Sequence, residues 1–279
     1  MNAHSIRTVE LQKLHIGGES SLEFKPLFCL ELSIFNTDEN FQIVKDYYKT
    51  SDRVELIKLA GNTDCDILGL KFNIEEAGQV DEACFLLKKL LPDIKKPLMI
   101  RGVNNDAIDR ILLPTLTQTL DRESIVAFAN ENTYKHIVPA VVEGGHILVL
   151  RSPIDINLAK ELNILSSDLG QPLDKILIDT DIGGLGYGLE YGYSIMEKVK
   201  LEGFSGDEYL NMPLISFVTE ESLKTKEAKS DGYSESWGDL KTRASMFEIS
   251  SASAVAATGA NVIVLNNPQS VKIMKGLFA

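Results

Sequence analysis

The densest run of residues able to do chemistry is Ile178-Asp179-Thr180-Asp181-Ile182-Gly183-Gly184-Leu185-Gly186-Tyr187-Gly188-Leu189-Glu190-Tyr191-Gly192-Tyr193-Ser194. Gly183, Gly184, Gly186 and Gly188 fall within six positions. Such a stretch lets the backbone approach a ligand closely and presents bare N–H donors at the start of a helix. Tyr187, Tyr191 and Tyr193 add flat, partly polar surface. The alternative is a structural glycine turn leading into a helix whose tyrosines pack outward. The spacing is not G-x-G-x-x-G, and no acidic partner about 20 residues on is evident, so this is not a dinucleotide fingerprint.

A second cluster is Arg151-Ser152-Pro153-Ile154-Asp155-Ile156-Asn157. Ser152 as N-cap, Pro153 in the first turn and Asp155 at the third position form a helix start. Asn157 is left over once that is explained. Asn73, Asn104, Asn130, Asn132, Asn266 and Asn267 also follow apolar runs. Many amides and only four histidines suit hydrogen bonding to a ligand rich in amides and suit metal ligation poorly. A Schiff-base lysine would have to be Lys71, where a structural role is the better reading. Carboxylates at successive strand ends, as a magnesium-dependent enolase-type site needs, are missing, because those ends carry Arg101, Asn130 and Ser152. His136 and His146 read as lone structural histidines. No Ser-His-Asp or Cys-His arrangement follows from spacing.

The elements that must position these residues alternate regularly. Eight apolar, β-rich runs occupy 26–35, 66–73, 97–103, 124–130, 146–152, 175–181, 213–219 and 260–266. Most are near-continuously hydrophobic, as strands buried on both faces should be. The segments between them have helical period. Val80, Ala83, Cys84, Leu87, Leu90 and Leu91 fall on one stripe, and Leu158, Leu162, Leu165 and Leu169 on another. Gly144-Gly145 and Gly170 are stop signals, and Asn267-Pro268 is a cap followed by proline. Eight such units in about 250 residues predict a closed parallel α/β barrel, a (β/α)8 TIM barrel, rather than an open doubly wound sheet. The expected organisation is a short irregular N-terminal arm, 1–25, capping the barrel bottom, and a TIM barrel domain, 26–279. The first helix, within 38–50, is short. The polar stretch 222–237 reads as an insertion or long βα loop. In a barrel the working surface is the rim at the C-terminal strand ends, where both clusters and the amides fall.

Bulk properties exclude several classes. Of the 279 residues, 44% are hydrophobic and 24% charged, which is ordinary for a globular chain. The net charge of −12 disfavours nucleic acid and anionic membrane as partners. No apolar run approaches a bilayer span and the first residues lack an apolar signal region, so the expected location is cytoplasmic. Cys29, Cys65 and Cys84 are too few and too scattered for a disulfide framework, a structural zinc site or an iron–sulfur cluster, and read as buried small apolar residues.

From Ser152-Pro153-Ile154-Asp155-Ile156-Asn157-Leu158-Ala159-Lys160-Glu161-Leu162-Asn163-Ile164-Leu165 onward the chain resembles the small (delta) subunit of the corrinoid iron–sulfur protein, the methyl carrier of the reductive acetyl-CoA pathway. The likeness continues through Ile178-Asp179, Gly183 to Tyr191, Ser194-Ile195-Met196-Glu197, Gly206-Asp207 and Met212-Pro213-Leu214-Ile215. It covers most of 66–275. The resemblance implies a TIM barrel paired in a heterodimer with a large corrinoid iron–sulfur subunit, with a cobamide held between the two. It implies that this chain shields one face of the corrin and does no bond chemistry. The methyl group would come from methyltetrahydrofolate through a separate methyltransferase and pass to acetyl-CoA synthase, both transient partners, in anaerobic one-carbon metabolism. On that reading the cofactor-binding candidates are Asn73, Asn130, Ser152, Asp155, Asn157, Asp179, Gly183, Gly184, Gly186, Tyr187, Gly188 and Asn266, with no catalytic and no metal-ligating residue. The chain departs from the family at Asp179-Thr180 where D-P is common, at 218–224 where V-G-x-E-A-W-R is common, and at Asn266-Asn267-Pro268 where R-H-P is common. The lost arginine and tryptophan imply an altered cofactor or partner contact. Two rivals stand beside this reading: a pterin-binding TIM-barrel methyltransferase that acts on a corrinoid protein, and a degenerate scaffold that binds only protein.

Overall fold

Strands buried on both faces must be apolar at every position and must be covered by helices, and that requirement organises this chain. In the computed structural model, which describes residues 6–18, 25–183 and 189–278, Thr8–Leu11 (β1) and Leu14–Gly17 (β2) form an antiparallel hairpin. Eight strands follow: Leu27–Ser33 (β3), Ile67–Lys71 (β4), Leu98–Arg101 (β5), Ile125–Ala129 (β6), Ile147–Arg151 (β7), Ile176–Asp179 (β8), Ile215–Phe217 (β9) and Val262–Leu265 (β10). They pair in parallel in the order β8-β7-β6-β5-β4-β3-β10-β9. A parallel bridge between Ile178 and Leu214 joins the two ends of that order, so the sheet closes into a barrel. Each expected run contains one strand. The run 213–219 is divided, because Val218 already begins a helix.

The outer ring consists of Glu39–Tyr48 (α1), Arg53–Gly61 (α2), Val80–Leu90 (α3), Asp106–Thr117 (α4), Tyr134–Gly144 (α5), Ile156–Asp168 (α6), Glu190–Phe204 (α7), Val218–Ser222 (α8), Lys226–Lys229 (α9), Leu240–Ala257 (α10) and Pro268–Leu277 (α11). The first unit thus has two helices rather than one short one. The 222–237 stretch carries α9 and a 3-10 turn at Glu235–Trp237. The stripe expected in α3 is buried as read. That of α6 is rotated: Ala159, Leu162, Asn163 and Ser166 face inward and Leu169 is exposed. Small residues let this helix lie close to the barrel, and Asn163 Nδ2 donates to Tyr209 O (2.6 Å). The N-cap of α6 also differs from expectation. Asp155, not Ser152, accepts from the backbone N–H groups of Asn157 (2.8 Å) and Leu158 (3.1 Å). Gly145 closes α5 in the left-handed conformation, and Asn267 caps α11 ahead of Pro268, both as expected.

Inside the barrel, period-two alternation sends every second strand residue inward. Cys29, Ile67, Met99, Ile125, Ile147, Val149, Leu177, Ile215, Val262 and Val264 form the interior, and Val9, Leu11 and Ile16 of the hairpin join the same cluster. The N-terminal arm therefore holds regular structure that plugs one end. Gly17, at φ +113°, ends β2 where a Cβ would stand 2.2 Å from Arg7 O, so only glycine fits there. The three cysteines are free and buried.

Candidate functional site

One step of the same alternation toward the C-terminal strand ends replaces the apolar interior by charge. Cys29 is followed on the inward face by Glu31, Met99 by Arg101, Val149 by Arg151 and Leu177 by Asp179. In the register, Arg151 lies opposite Asp179 and Lys71 opposite Arg101. Arg101 and Arg151 are only 2% and 4% exposed. Arg101 Nη1 donates to both oxygens of Glu31 (3.0 and 3.2 Å). Arg151 Nε donates to Asp179 Oδ2 (2.6 Å). Arg101 Nη2 and both Nη atoms of Arg151 converge on a third carboxylate, Glu220 of α8, while Arg101 Nε is buried without a partner among the described residues. Glu220 Oε2 accepts from Arg101 Nη2 and from Arg151 Nη1 and Nη2 (3.1 and 3.2 Å). Both guanidinium planes are backed by aromatic rings, Arg151 on Phe128 (3.6 Å to the centroid) and Arg101 on Phe217 (4.6 Å). Planar cations stacked on rings and tied to carboxylates fill the barrel mouth with an ionic plug.

The electrostatics follow from burial set against this pairing. Burial works against the charge on both arginines, but Glu31, Asp179 and Glu220 outweigh it and hold both above the ordinary arginine value. Burial would likewise raise Glu220, and Arg101 and Arg151 outweigh it, holding the carboxyl well below the usual range. Asp179 goes the other way. Burial pushes it up to about 6, with Asp181 adding to the shift and Arg151 opposing it. Beside the plug, burial also raises Glu248, which accepts from Thr219 Oγ1 and from the Asn266 N–H (3.2 Å).

The expected site residues that the structure describes lie at or just after C-terminal strand ends, on one rim, but their side chains are used differently. Asn73 accepts from the N–H groups of Phe35 and Asn36 (3.1 and 3.0 Å) and donates to Asn36 O and Asp38 Oδ2 (both 3.0 Å), clamping the loop after β3. Asn130 accepts from Asn132 N and Thr133 N (3.0 and 3.1 Å) and donates to Asp106 Oδ1 (2.8 Å). Asp155 is spent as a cap. Ser152 is fully buried and its hydroxyl has no partner among the described residues; the Asn266 Nδ2 is likewise buried and unpartnered. Asn157 is exposed, Gly183 half-buried, and Asp179 belongs to the plug. Gly184, Gly186, Tyr187 and Gly188 lie outside the described residues. The plug residues Glu31, Arg101, Arg151 and Glu220 escaped the sequence reading as a group. A signal existed: charges two positions beyond apolar interior residues, at the ends of four strands. A further cleft of 670 Å3 opens between α1 and α10 with Glu248 and Leu223 in its wall.

Among the described residues no group of three or more His, Cys, Asp or Glu is arranged to hold a metal ion, and no helix is long and apolar enough to cross a membrane. The fold is a closed (β/α)8 barrel. The Xanthomonas albilineans dihydropteroate synthase with 4-aminobenzoic acid superposes with a TM-score of 0.63 at 10% identity, over 98% of this chain and 99% of that one. The Coxiella burnetii dihydropteroate synthase with pteroic acid gives 0.60 at 11% identity, over 99% of this chain and 98% of that one. Identities this low speak to the fold alone. In sequence, residues 10–275 match the family model described as CO dehydrogenase/acetyl-CoA synthase delta subunit, and the chain belongs to that family. It is 31% identical over 196 residues to the acetyl-CoA decarbonylase/synthase complex subunit delta of Methanocaldococcus jannaschii, covering 70% of this chain and 48% of that protein. The Archaeoglobus fulgidus subunit delta is 27% identical over 203 residues, covering 71% and 45% respectively. The chain spans about half the length of these relatives.

Proposed function

We propose that this chain is a non-catalytic subunit of a methyl-transfer complex, presenting its barrel rim to a cobamide shared with a large corrinoid iron–sulfur subunit. The observation that carries this reading is the filled mouth. Arg101, Arg151, Phe128 and Phe217 take the space in which a barrel enzyme would enclose a small substrate, and the charges able to act there are engaged with one another. What stays available is rim: the exposed Asn157 amide, the half-buried Gly183, and Lys71. Large apolar side chains are exposed on the same end, Ile154 after β7 and Tyr191 at the start of α7, as a subunit interface would use them.

The donor chemistry fits a ligand bordered by carboxamides. Asn157 and Lys71 would hold its edge. A corrinoid supplies the cobalt that takes up and gives away the methyl group. Asn73, Asn130 and Asp155 then act by fixing the loops, Ser152 through its backbone N–H alone, and Asp179 by fixing Arg151. Methyltetrahydrofolate with its methyltransferase and acetyl-CoA synthase are the transient donor and acceptor, and a cytoplasmic location follows. The pterin-binding alternative is less well supported, because Asp179 and Glu31, the buried acids that would grip a pterin's amino-pyrimidine edge, are already engaged by arginines.

Co-purification tests the proposal. Co-expressed with its large subunit, the chain is expected to retain corrinoid, read as a visible absorption spectrum at one equivalent per heterodimer, while the chain alone retains none. Stoichiometric cobamide uptake by the isolated chain, or turnover of methyltetrahydrofolate by it, would overturn the assignment.

A further inference from the structure

We propose that Arg101 and Arg151 form an oxyanion-binding seat in the barrel mouth that Glu220 occupies from within, and that its external ligand is a small molecule bearing a carboxylate or phosphate group. This goes beyond the corrinoid reading and does not rest on it.

The seat is over-supplied with negative charge in one particular place. Arg101 and Arg151 each have a neutralising carboxylate on a strand, Glu31 for the first and Asp179 for the second. These partners, together with Phe128 and Phe217, fix the guanidinium planes. Arg101 Nη2 and Arg151 Nη1 and Nη2 are then left aimed at one point, and on that point stands a single oxygen of Glu220. Convergent guanidinium N–H groups in fixed planes are how proteins recognise carboxylate and phosphate. Glu220 differs from the other two acids. It is carried by the five-residue α8 instead of a strand, and it is 12% exposed where Glu31 and Asp179 are each 1%. Its second oxygen faces Asn104 Nδ2 (3.3 Å) and Lys224 Nζ (3.9 Å).

Space for an exchange adjoins it. A recess of 270 Å3 is bordered by Lys71, Lys224 and Lys229 and by the carboxylates of Glu220, Asp38 and Glu39. Lys71 makes no hydrogen bond or ion pair among the described residues, although its charge acts on Glu220. Rotation of the Glu220 side chain between staggered positions empties the seat with no change in the barrel. An incoming anion would take its place, with the rest of the ligand over the lysines. The tethered carboxylate competes with that ligand, so the apparent affinity of the native chain is lowered by the fraction of time the seat is empty.

The test uses the full chain and its Glu220→Ala and Glu220→Gln variants, titrated calorimetrically with sodium phosphate and separately with sodium acetate at constant ionic strength. Glu220→Ala is expected to bind at least one of the two anions one-to-one, about tenfold or more tightly than the native chain. Its melting midpoint should rise by about 5 °C when that anion, at roughly a hundred times its dissociation constant, replaces chloride. Lys71→Met in the same background should weaken the binding. Response to phosphate alone identifies a phosphoryl ligand and response to acetate alone a carboxylate. Should Glu220→Ala not fold in chloride, recovery of the fold in either anion supports the seat. Failure of both anions to bind or rescue either variant better than chloride overturns it and leaves Glu220 a structural member of the plug.

Discussion

Asp179 and Glu220 contact the same Arg151 and yet titrate in opposite directions, because one is sealed in a strand and the other is surrounded by cations. Burial raises Asp179 from 3.8 to about 6. A carboxyl raised on folding binds its proton more tightly in the native state, so its contribution to stability is full below pH 4 and is lost as the pH rises through 6. Glu220, held low, contributes stability above the usual carboxylate range that is lost only in strong acid. The Asp179→Asn variant isolates the first effect. The stability of the native chain minus that of the variant, from urea denaturation between pH 4 and 7.5, should fall with rising pH by at most about 3 kcal/mol. A difference that is flat, or that rises with pH, would show that Arg151 holds Asp179 ionised throughout.

At the scale of the element, the loop between β7 and α6 shows how a plausible motif can be divided between two tasks. The Ser152 N–H donates to Asp179 O (2.9 Å) and the Ile154 N–H to Thr180 O (2.8 Å), so the loop is pinned to the one after β8. This places Ile154 at φ 50°, a left-handed conformation that a β-branched residue adopts only under such constraint. The turn delays the helix, and Asp155 inherits the cap. Asp155→Ala should therefore cost about 1 kcal/mol in chemical denaturation. Ser152→Ala should cost clearly less, because the Ser152 hydroxyl has no partner among the described residues and its loss leaves no hydrogen bond broken. The reverse ranking would restore Ser152 as the cap. A similar device positions Arg101. Asp109 accepts from the N–H groups of Val103, Asn104 and Asn105 just beyond β5, and Gly102 makes room for its carboxylate, which would lie 2.2 Å from any Cβ there.

For the whole molecule, the barrel is stoppered at both ends by different physics. Apolar residues of the hairpin close the bottom and the ionic plug closes the top. Ile16 is fully buried in the interior cluster with strand residues from around the ring. Ile16→Ala should destabilise the chain by about 2–4 kcal/mol, as a large-to-small change in a closed core does. Far-UV circular dichroism and the fluorescence of Trp237, the single tryptophan, should report one shared transition, since Trp237 lies after β9 at the opposite end. Separate transitions, or a cost well below 1 kcal/mol, would mean that the hairpin is an appendage.

The amino-acid sequence by itself determined the eight alternating units, the parallel barrel and the end at which its loops gather. Those follow from local periodicity, from caps such as Asn267-Pro268 and from stops such as Gly145, all of which act within a few residues. It also carried the kinship, in the run from Ser152 to Leu165. What the tertiary structure alone decided was which polar groups meet. Arg101 and Glu220 are 119 residues apart in the chain, and Arg101 and Glu31 are 70 apart. Ring closure brings such groups within hydrogen-bonding distance, and ion pairing depends on distance through space and on exclusion of water, neither of which is written in spacing along the chain. The amides show the same thing in reverse. Asn73 and Asn130 stand at the rim as their positions foretell, but the turns around them absorb their donors and acceptors, and only the folded loop settles whether an amide faces a ligand or its own backbone.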